Sequence, residues 1–366
     1  MHDLMSKLGF GYMRLPKKAG GFDMEQINKM VDAFLDSGGV YFDTAFVYQG
    51  SEAAMRDSLV SRYPRESFKI ASKFNLRHIK PSDKIDAQFI TSCERLGVEY
   101  IDSYMLHGIN AAISKKGEEI GAWDYIKDLK AKNLVRQIGF SLHAPPKDLE
   151  EILSKHPEVD FAQLQINYLD WENPKVQSRR LYETARKFDV PIIIMEPVKG
   201  GLLASEDSPI AEFLHKENPN ASIASLALRF AAQLEGVAMT LSGMSAFDQL
   251  SDNIKTFKDF KPLSEAERAM AEKAVELINA EPRVACTGCG YCAGDCPAKI
   301  MIPNMIDTYN NYLIYKTTNN VEHPYRLWAS NGGKAGDCTK CGLCEDICPQ
   351  DIIVTEVLEK LSALFD

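Results

Sequence analysis

From Leu8 to about residue 280 the chain alternates short β-prone apolar runs with longer segments whose apolar residues recur at helical spacing. The predicted strands are Leu8–Met13, Val40–Ala45, Phe68–Lys73, Ile101–Leu106, Val135–Ser141, Phe161–Asn167, Pro191–Glu196 and Val237–Leu241. Helical patterns fill the gaps, at Met24–Ser37, Ser51–Arg62, Ser82–Leu96, Glu118–Lys132 and Ser178–Phe188. Met30, Phe34 and Leu35 share one helix face, and Leu181, Ala185 and Phe188 share another. Repeated strand–helix units over about 250 residues predict a TIM-type (β/α)8 barrel. A doubly wound sheet would want a glycine-rich turn after its first strand. Gly20-Gly21 instead follows polar Lys17-Lys18, and no GxGxxG occurs there.

Two further helices are predicted, Ala246–Phe257 and Ser264–Ile278, the second opening with Ser264 as N-cap and Glu267 completing a capping box. Composition then changes at Glu281-Pro282-Arg283, which places a domain boundary there: residues 1–280 form the barrel and 281–366 a small second domain. A length of 366 residues agrees, being too long for one ordinary core. Apolar content of 45% and charged content of 25% are those of a globular protein. No run reaches the roughly 18 apolar residues of a membrane span, and the N-terminus lacks an export signal's apolar core. A cytoplasmic protein is expected. A net charge of −9 argues against a nucleic-acid partner. An anionic cofactor would then need a local group of amides and lysines.

Candidate chemistry gathers where the strands end. Asp43 closes the second predicted strand, and Tyr48 lies on the loop before Ser51, which with Glu52 makes a fair N-cap for the next helix. Lys73 closes the third strand and His107 follows the fourth, so Asp43, Tyr48, Lys73 and His107 fall on one barrel rim. Carbonyl reduction needs a hydride on carbon and a proton on oxygen. A phenol can give that proton, but with a free pKa of about 10 it is a weak acid at neutral pH. An ammonium beside it stabilises the phenolate, which predicts that Lys73 lowers the Tyr48 pKa. Asp43 would hold Lys73 charged, and His107 would orient the carbonyl. Taken singly, each residue also reads as a surface charge, a packing histidine or a rim aromatic.

The joint pattern decides. Phe42-Asp43-Thr44-Ala45-x-x-Tyr48-x-x-Ser51-Glu52, then Ser72-Lys73, then Leu106-His107-Gly108, resembles the signature of the aldo-keto reductases over about residues 4–280. The resemblance implies NAD(P)H-dependent reduction of an aldehyde or ketone, with Asp43, Tyr48, Lys73 and His107 as the catalytic set. It also implies that Ser141 and Gln163 bind the nicotinamide amide and that Met195 stands where an aromatic usually stacks on the nicotinamide. Lys199-Gly200-Gly201 would lay backbone amides against the pyrophosphate. Gly243, Gln249 and Asn253 match the adenosine-end segment. Leu142 stands where the family usually has Asn. Gly243 and Gln249 hold positions where NADP-preferring members often carry Lys and Arg, so NADP and NAD both stay open.

Eight of nine cysteines crowd into two C-terminal runs. Cys286, Cys289, Cys292 and Cys296-Pro297 are repeated in form as Cys338, Cys341, Cys344 and Cys348-Pro349. Soft thiolates at this spacing suit iron–sulfur cubanes; zinc is the alternative, but it needs neither the fourth Cys nor the Pro. The runs resemble those of two-cluster ferredoxins, in which the fourth Cys serves the other cluster. That implies one [4Fe-4S] cluster on Cys286, Cys289, Cys292 and Cys348, and a second on Cys338, Cys341, Cys344 and Cys296. The insertion between the runs, with a helical stretch Asn304–Tyr315 and a loop at Asn331-Gly332-Gly333, resembles the mainly helical ferredoxin type. The whole resembles the prokaryotic branch of the aldo-keto reductases with a C-terminal two-[4Fe-4S] ferredoxin-like domain.

A nicotinamide gives two electrons at once, whereas a cubane passes one. No flavin motif is found, so either the clusters are structural or partner-docking, or electrons enter through them from an external ferredoxin or flavoprotein partner. The alternative function is an iron–sulfur electron-transfer protein linking such a partner to a barrel-bound substrate. Cys93 reads as an inert buried thiol. His78, His143, His156, His215 and His323 lack metal-ligand spacing, although His143 follows Ser141 at the rim. Gly38-Gly39 reads as a helix C-cap, Lys115-Lys116 and Glu118-Glu119 as solvated charges, and Ala111–Gly117 and Pro145–Pro146 as rim loops.

Overall fold

A computed structural model describes residues 4–77, 79, 84–294, 296–318 and 321–366. His78 and the start of the predicted helix Ser82–Leu96 lie outside them. The chain divides into two compact units, one of residues 1–199 with 224–268, the other of residues 200–223 with 269–366.

In the first unit eight parallel strands close a barrel in simple sequence order, the first lying between the second and the eighth. They are β1 (Leu8–Gly11), β2 (Tyr41–Asp43), β3 (Lys69–Phe74), β4 (Ile101–Ile109), β5 (Val135–Leu142), β6 (Phe161–Gln165), β7 (Ile192–Met195) and β8 (Val237–Gly243). Period-two alternation sorts their side chains into two layers. Phe42, Ile70, Tyr104 and Ile192 face the helices, where Phe42 and Phe34 meet edge-on at 5.2 Å between ring centres. Tyr41, Ala71, Met105, Phe161, Ile193, Met239 and Leu241 fill the barrel interior.

Helices follow the predicted pattern with local differences. Asp23 caps Met24–Asp36 through the Gln26 amide, and Gly38 turns out of it at φ +96°. The capping box before Glu265–Ala280 forms as expected: Ser264 N donates to Glu267 Oε2 at 2.9 Å, and Glu267 N donates to Ser264 Oγ at 3.3 Å. Ser51 does not cap the helix after β2. Its hydroxyl bonds instead to the Tyr12 carbonyl at 3.1 Å and to Thr44 Oγ1 at 2.6 Å, while left-handed Gly50 takes the cap position. Ala111–Gly117 is not a loop but most of a helix, Ala111–Glu119, capped by Asn110 on the Ile113 amide at 2.8 Å. Pro145–Pro146 likewise opens the helix Pro146–Lys155.

The second unit is mainly helical. Helices Ile302–Tyr315, Glu322–Asn331 and Val354–Phe365 enclose Met305, Ile306, Tyr325, Leu358 and Leu361. Asp366 ties two chain segments together, accepting from the Tyr325 hydroxyl at 2.6 Å and the Gly336 amide at 2.7 Å. Gly333 is forced by contact, since a Cβ there would lie 2.1 Å from the Ala298 carbonyl oxygen. Among the described residues no helix is long and apolar enough to cross a membrane.

Candidate active site

The interior face of each strand, read two residues beyond the last apolar plug, gives the floor of the barrel mouth. Tyr41 leads to Asp43, Ala71 to Lys73, Met105 to His107, Phe161 to Gln163, Ile193 to Met195 and Leu241 to Gly243. On β5, Gly139 replaces an apolar plug because Phe161 occupies its place, and Ser141 follows. Pleating thus sets residues far apart in sequence side by side; Ser141 pairs in register with Gln163.

Lys73 is fully buried, and its ammonium donates to Asp43 Oδ1 and to the Thr44 carbonyl, both at 2.6 Å. Burial pulls the Lys73 pKa down, but Asp43 and Tyr48 more than reverse this, and it ends above its usual value. Burial pushes the Asp43 carboxyl up against the pull of Lys73. Two short bonds to the ammonium keep the proton on nitrogen. The Lys73 Nζ lies 4.8 Å from the centre of the Tyr48 ring. The His107 ring meets the same phenol edge-on, 5.8 Å between centres. Burial raises the Tyr48 pKa, and Lys73 only partly offsets it, so the net shift is upward rather than the decrease expected from the ammonium alone. Burial, with help from Lys73, His143 and Arg77, brings His107 down to about 3, which makes it a neutral imidazole.

The wall beyond His107 offers unspent hydrogen-bonding capacity. Gln163 donates to the Met195 sulfur at 3.6 Å, while its buried Oε1 has no partner among the described residues. Ser141 Oγ accepts from the Gly108 amide at 2.8 Å and keeps its own proton to donate. An amide-bearing ring fits this pairing of an acceptor and a donor. Lys199 is held through both backbone and side chain: its amide donates to the Glu196 carbonyl at 3.0 Å, and its ammonium lies 2.8 Å from both oxygens of buried Asp170, which Gln165 and Asn167 also contact. Lys199, Gly200 and Gly201 all have positive φ, +49°, +64° and +109°. At the end of β8, Gln249 is turned back to accept from the Ser245 amide at 2.7 Å, and Asn253 donates to Ser242 Oγ at 2.9 Å. Gly243 leaves room for the Arg14 side chain, whose Cβ, Cγ and Cδ would lie 3.5–3.7 Å from a Cβ at that position.

Several supporting residues escaped the sequence reading. Buried Glu52 accepts from the Ser72 hydroxyl at 2.8 Å and from Arg95 at 3.3 Å, bracing the loop that carries Tyr48. Asp170 had no signal beyond a polar residue in a turn. Lys116, read as a solvated charge, instead donates to the Leu76 carbonyl at 2.8 Å and the Ile79 carbonyl at 3.0 Å. His143 lies within the electrostatic reach of Arg77, Glu196 and Lys199, and burial lowers its pKa first.

In the second unit the eight C-terminal thiols sort into two hollows. Cys286, Cys289, Cys292 and Cys348 line one, together with Tyr291, Ile306 and Ile352. Cys338, Cys341, Cys344 and Cys296 line another, together with Ile302 and Leu358. Each hollow takes three thiols from one run and the fourth from the other. Among the described residues no group of three or more His, Cys, Asp or Glu is placed to hold a lone metal ion. Four thiols spread around an apolar hollow suit the body of a cluster.

The sequence model of the Aldo/keto reductase family matches residues 7–276, and that of the 4Fe-4S dicluster domain matches residues 285–353. Aldo-keto reductase str7 of Strobilurus tenacellus is 31% identical over 217 residues, which is 56% of this chain and 61%, less than two thirds, of that protein. Aldo-keto reductase AKR11C1 from Bacillus halodurans superposes with a TM-score of 0.59 at 24% identity, covering 73% of this chain and 91% of its own. An aldo/keto reductase from Klebsiella pneumoniae, solved in complex with NADP and acetate, gives a TM-score of 0.59 at 19% identity, over 73% and 90%. At these identities the two structures speak to the fold alone.

Proposed function

Since the chain belongs to the aldo/keto reductase family and carries a 4Fe-4S dicluster domain, we propose that it reduces an aldehyde or ketone to the alcohol at the barrel mouth, with Tyr48 as proton donor. The observation that carries this is the phenol set between a buried ammonium 4.8 Å away and a neutral imidazole 5.8 Å away. His107 offers one N–H to the carbonyl oxygen and fixes its direction. Tyr48 passes its proton to that oxygen as charge builds on it. Lys73 then faces a phenolate, which its ammonium stabilises most at that moment, and Asp43 keeps the ammonium in place. A bound nicotinamide dinucleotide supplies the hydride that reaches the carbon.

Gln163 and Ser141 would hold the nicotinamide amide and Met195 would pack on its ring. Of Lys199-Gly200-Gly201, the two glycine amides would meet the pyrophosphate, the Lys199 amide being held by the Glu196 carbonyl and its side chain by Asp170. Gly243, Gln249 and Asn253 would border the adenosine end, with Arg14 over Gly243 as the cation there. This favours NADP, the cofactor of the Klebsiella protein, over NAD. In the C-terminal unit each four-cysteine hollow would hold one [4Fe-4S] cluster. Such clusters supply single-electron transfer, so a ferredoxin or flavoprotein partner fits them.

The test is turnover. Full-length protein purified without oxygen should oxidise NADPH or NADH in the presence of a carbonyl compound. Tyr48→Phe should lower that rate by at least about 100-fold while dinucleotide binding, followed by fluorescence, persists. Full activity in the variant would refute the assignment of Tyr48.

A further inference from the structure

One charge at the mouth has no work in the mechanism above. Arg77 sits just past β3, and its loop is built to hold it still. The Arg77 amide donates to Asn75 Oδ1 at 2.9 Å. Asn75 is in turn clamped by Gln88, with Asn75 N donating to Gln88 Oε1 at 3.0 Å and Gln88 Nε2 donating to Asn75 O at 2.9 Å. The guanidinium then donates from Nη2 to the Gly108 carbonyl at 2.8 Å. Gly108 directly follows His107 and has its own amide fixed on Ser141 Oγ. Arg77 is therefore anchored beside the residue that would orient the carbonyl, by a bond that uses one of its five N–H groups.

Among the described residues, nothing lies within 4 Å of where a Cβ would stand on Gly108, whose φ is +58°. Arg77 is exposed and enters no ion pair among the described residues. Its charge reaches His107 and His143 alike, while Glu196 acts on His143 and Tyr48 with the opposite sign. The mouth is thus polarised, cationic beside Gly108 and anionic beside Glu196.

We propose that Arg77 is an anion subsite and that the carbonyl substrate carries a carboxylate remote from its reacting carbon. This rests on the reductase reading and adds the substrate class to it. A guanidinium fork matches a carboxylate in a plane, two N–H to two oxygens, and a fixed fork loses little freedom on binding. With His107 directing the carbonyl oxygen and Arg77 holding the far end, the substrate is fixed at two points. Glu196, whose charge reaches His143 and Tyr48 with the opposite sign, disfavours a carboxylate placed beside them. On a chain of net charge −9, such a local cation is also what draws an anionic substrate in.

Two rigid probes that differ only in charge test this: 4-carboxybenzaldehyde and 4-(methoxycarbonyl)benzaldehyde. With full-length protein and reduced nicotinamide, kcat/KM should favour the acid. Arg77→Gln should cut the acid-to-ester ratio of kcat/KM by about 10-fold or more, chiefly through KM for the acid. An unchanged ratio overturns the subsite. Calorimetric titration of 4-carboxybenzaldehyde onto both proteins separates the two claims. Binding that depends on Arg77 but yields no turnover defeats the reductase reading and upholds the subsite. Turnover of both probes with no dependence on Arg77 defeats the subsite alone.

Discussion

Burial raises the proton affinity of the Tyr48 phenol above its usual 10, and the Lys73 ammonium recovers only part of that. His107, held down to about 3, stays neutral at every working pH. The signs give a pH profile. An acid whose pKa is raised keeps its proton as pH climbs, so Tyr48 remains a donor until the pH passes about 10. A base whose pKa is lowered cannot gain charge until the pH falls to about 3. Carbonyl reduction should therefore show kcat/KM flat from about pH 5 to 9, with loss on the alkaline side only. A limb near 6.5 that disappears in His107→Gln would contradict this environment for the imidazole. At this scale the sequence yielded residue types and order. It could not show that desolvation outweighs Lys73, because burial depends on every strand of the wall.

Pleating of a strand is the device that turns sequence spacing into a site. Each step of two residues stays on the interior face, so Asp43, Lys73 and His107 follow Tyr41, Ala71 and Met105 onto the mouth. That regularity was legible in the sequence. The local choices were not. Ser51 looked like a cap but spends its hydroxyl on Thr44 and the Tyr12 carbonyl, a partner 39 residues away. Gly139 read as an ordinary strand residue, yet a Cβ there would lie 2.4 Å from the Phe161 carbonyl oxygen and 2.8 Å from its ring. Gly139→Ala should destabilise the barrel by about 1–3 kcal/mol through overpacking, seen as a lower urea midpoint with unchanged slope. An unshifted midpoint would show that β5 and β6 yield more easily than close packing allows.

Across the chain as a whole, the two cysteine runs lie more than forty residues apart and still share both hollows. If each hollow holds a cluster, Cys348→Ser damages the one built on Cys286. Iron content per chain should fall by about half in Cys286→Ser/Cys348→Ser and nearly to zero in Cys338→Ser/Cys348→Ser. The reverse pattern, near-total loss in Cys286→Ser/Cys348→Ser and loss of about half in Cys338→Ser/Cys348→Ser, would mean that each run serves its own cluster. The sequence by itself determined the barrel, the family and the presence of the cluster-binding runs, because pleat period, strand count and ligand spacing are local properties of a chain. Only the tertiary structure decided what Arg77, Asp170, Glu52 and Arg14 lie against. Their partners come from other strands and loops, and the strength of a charge is set by how much water the fold leaves around it.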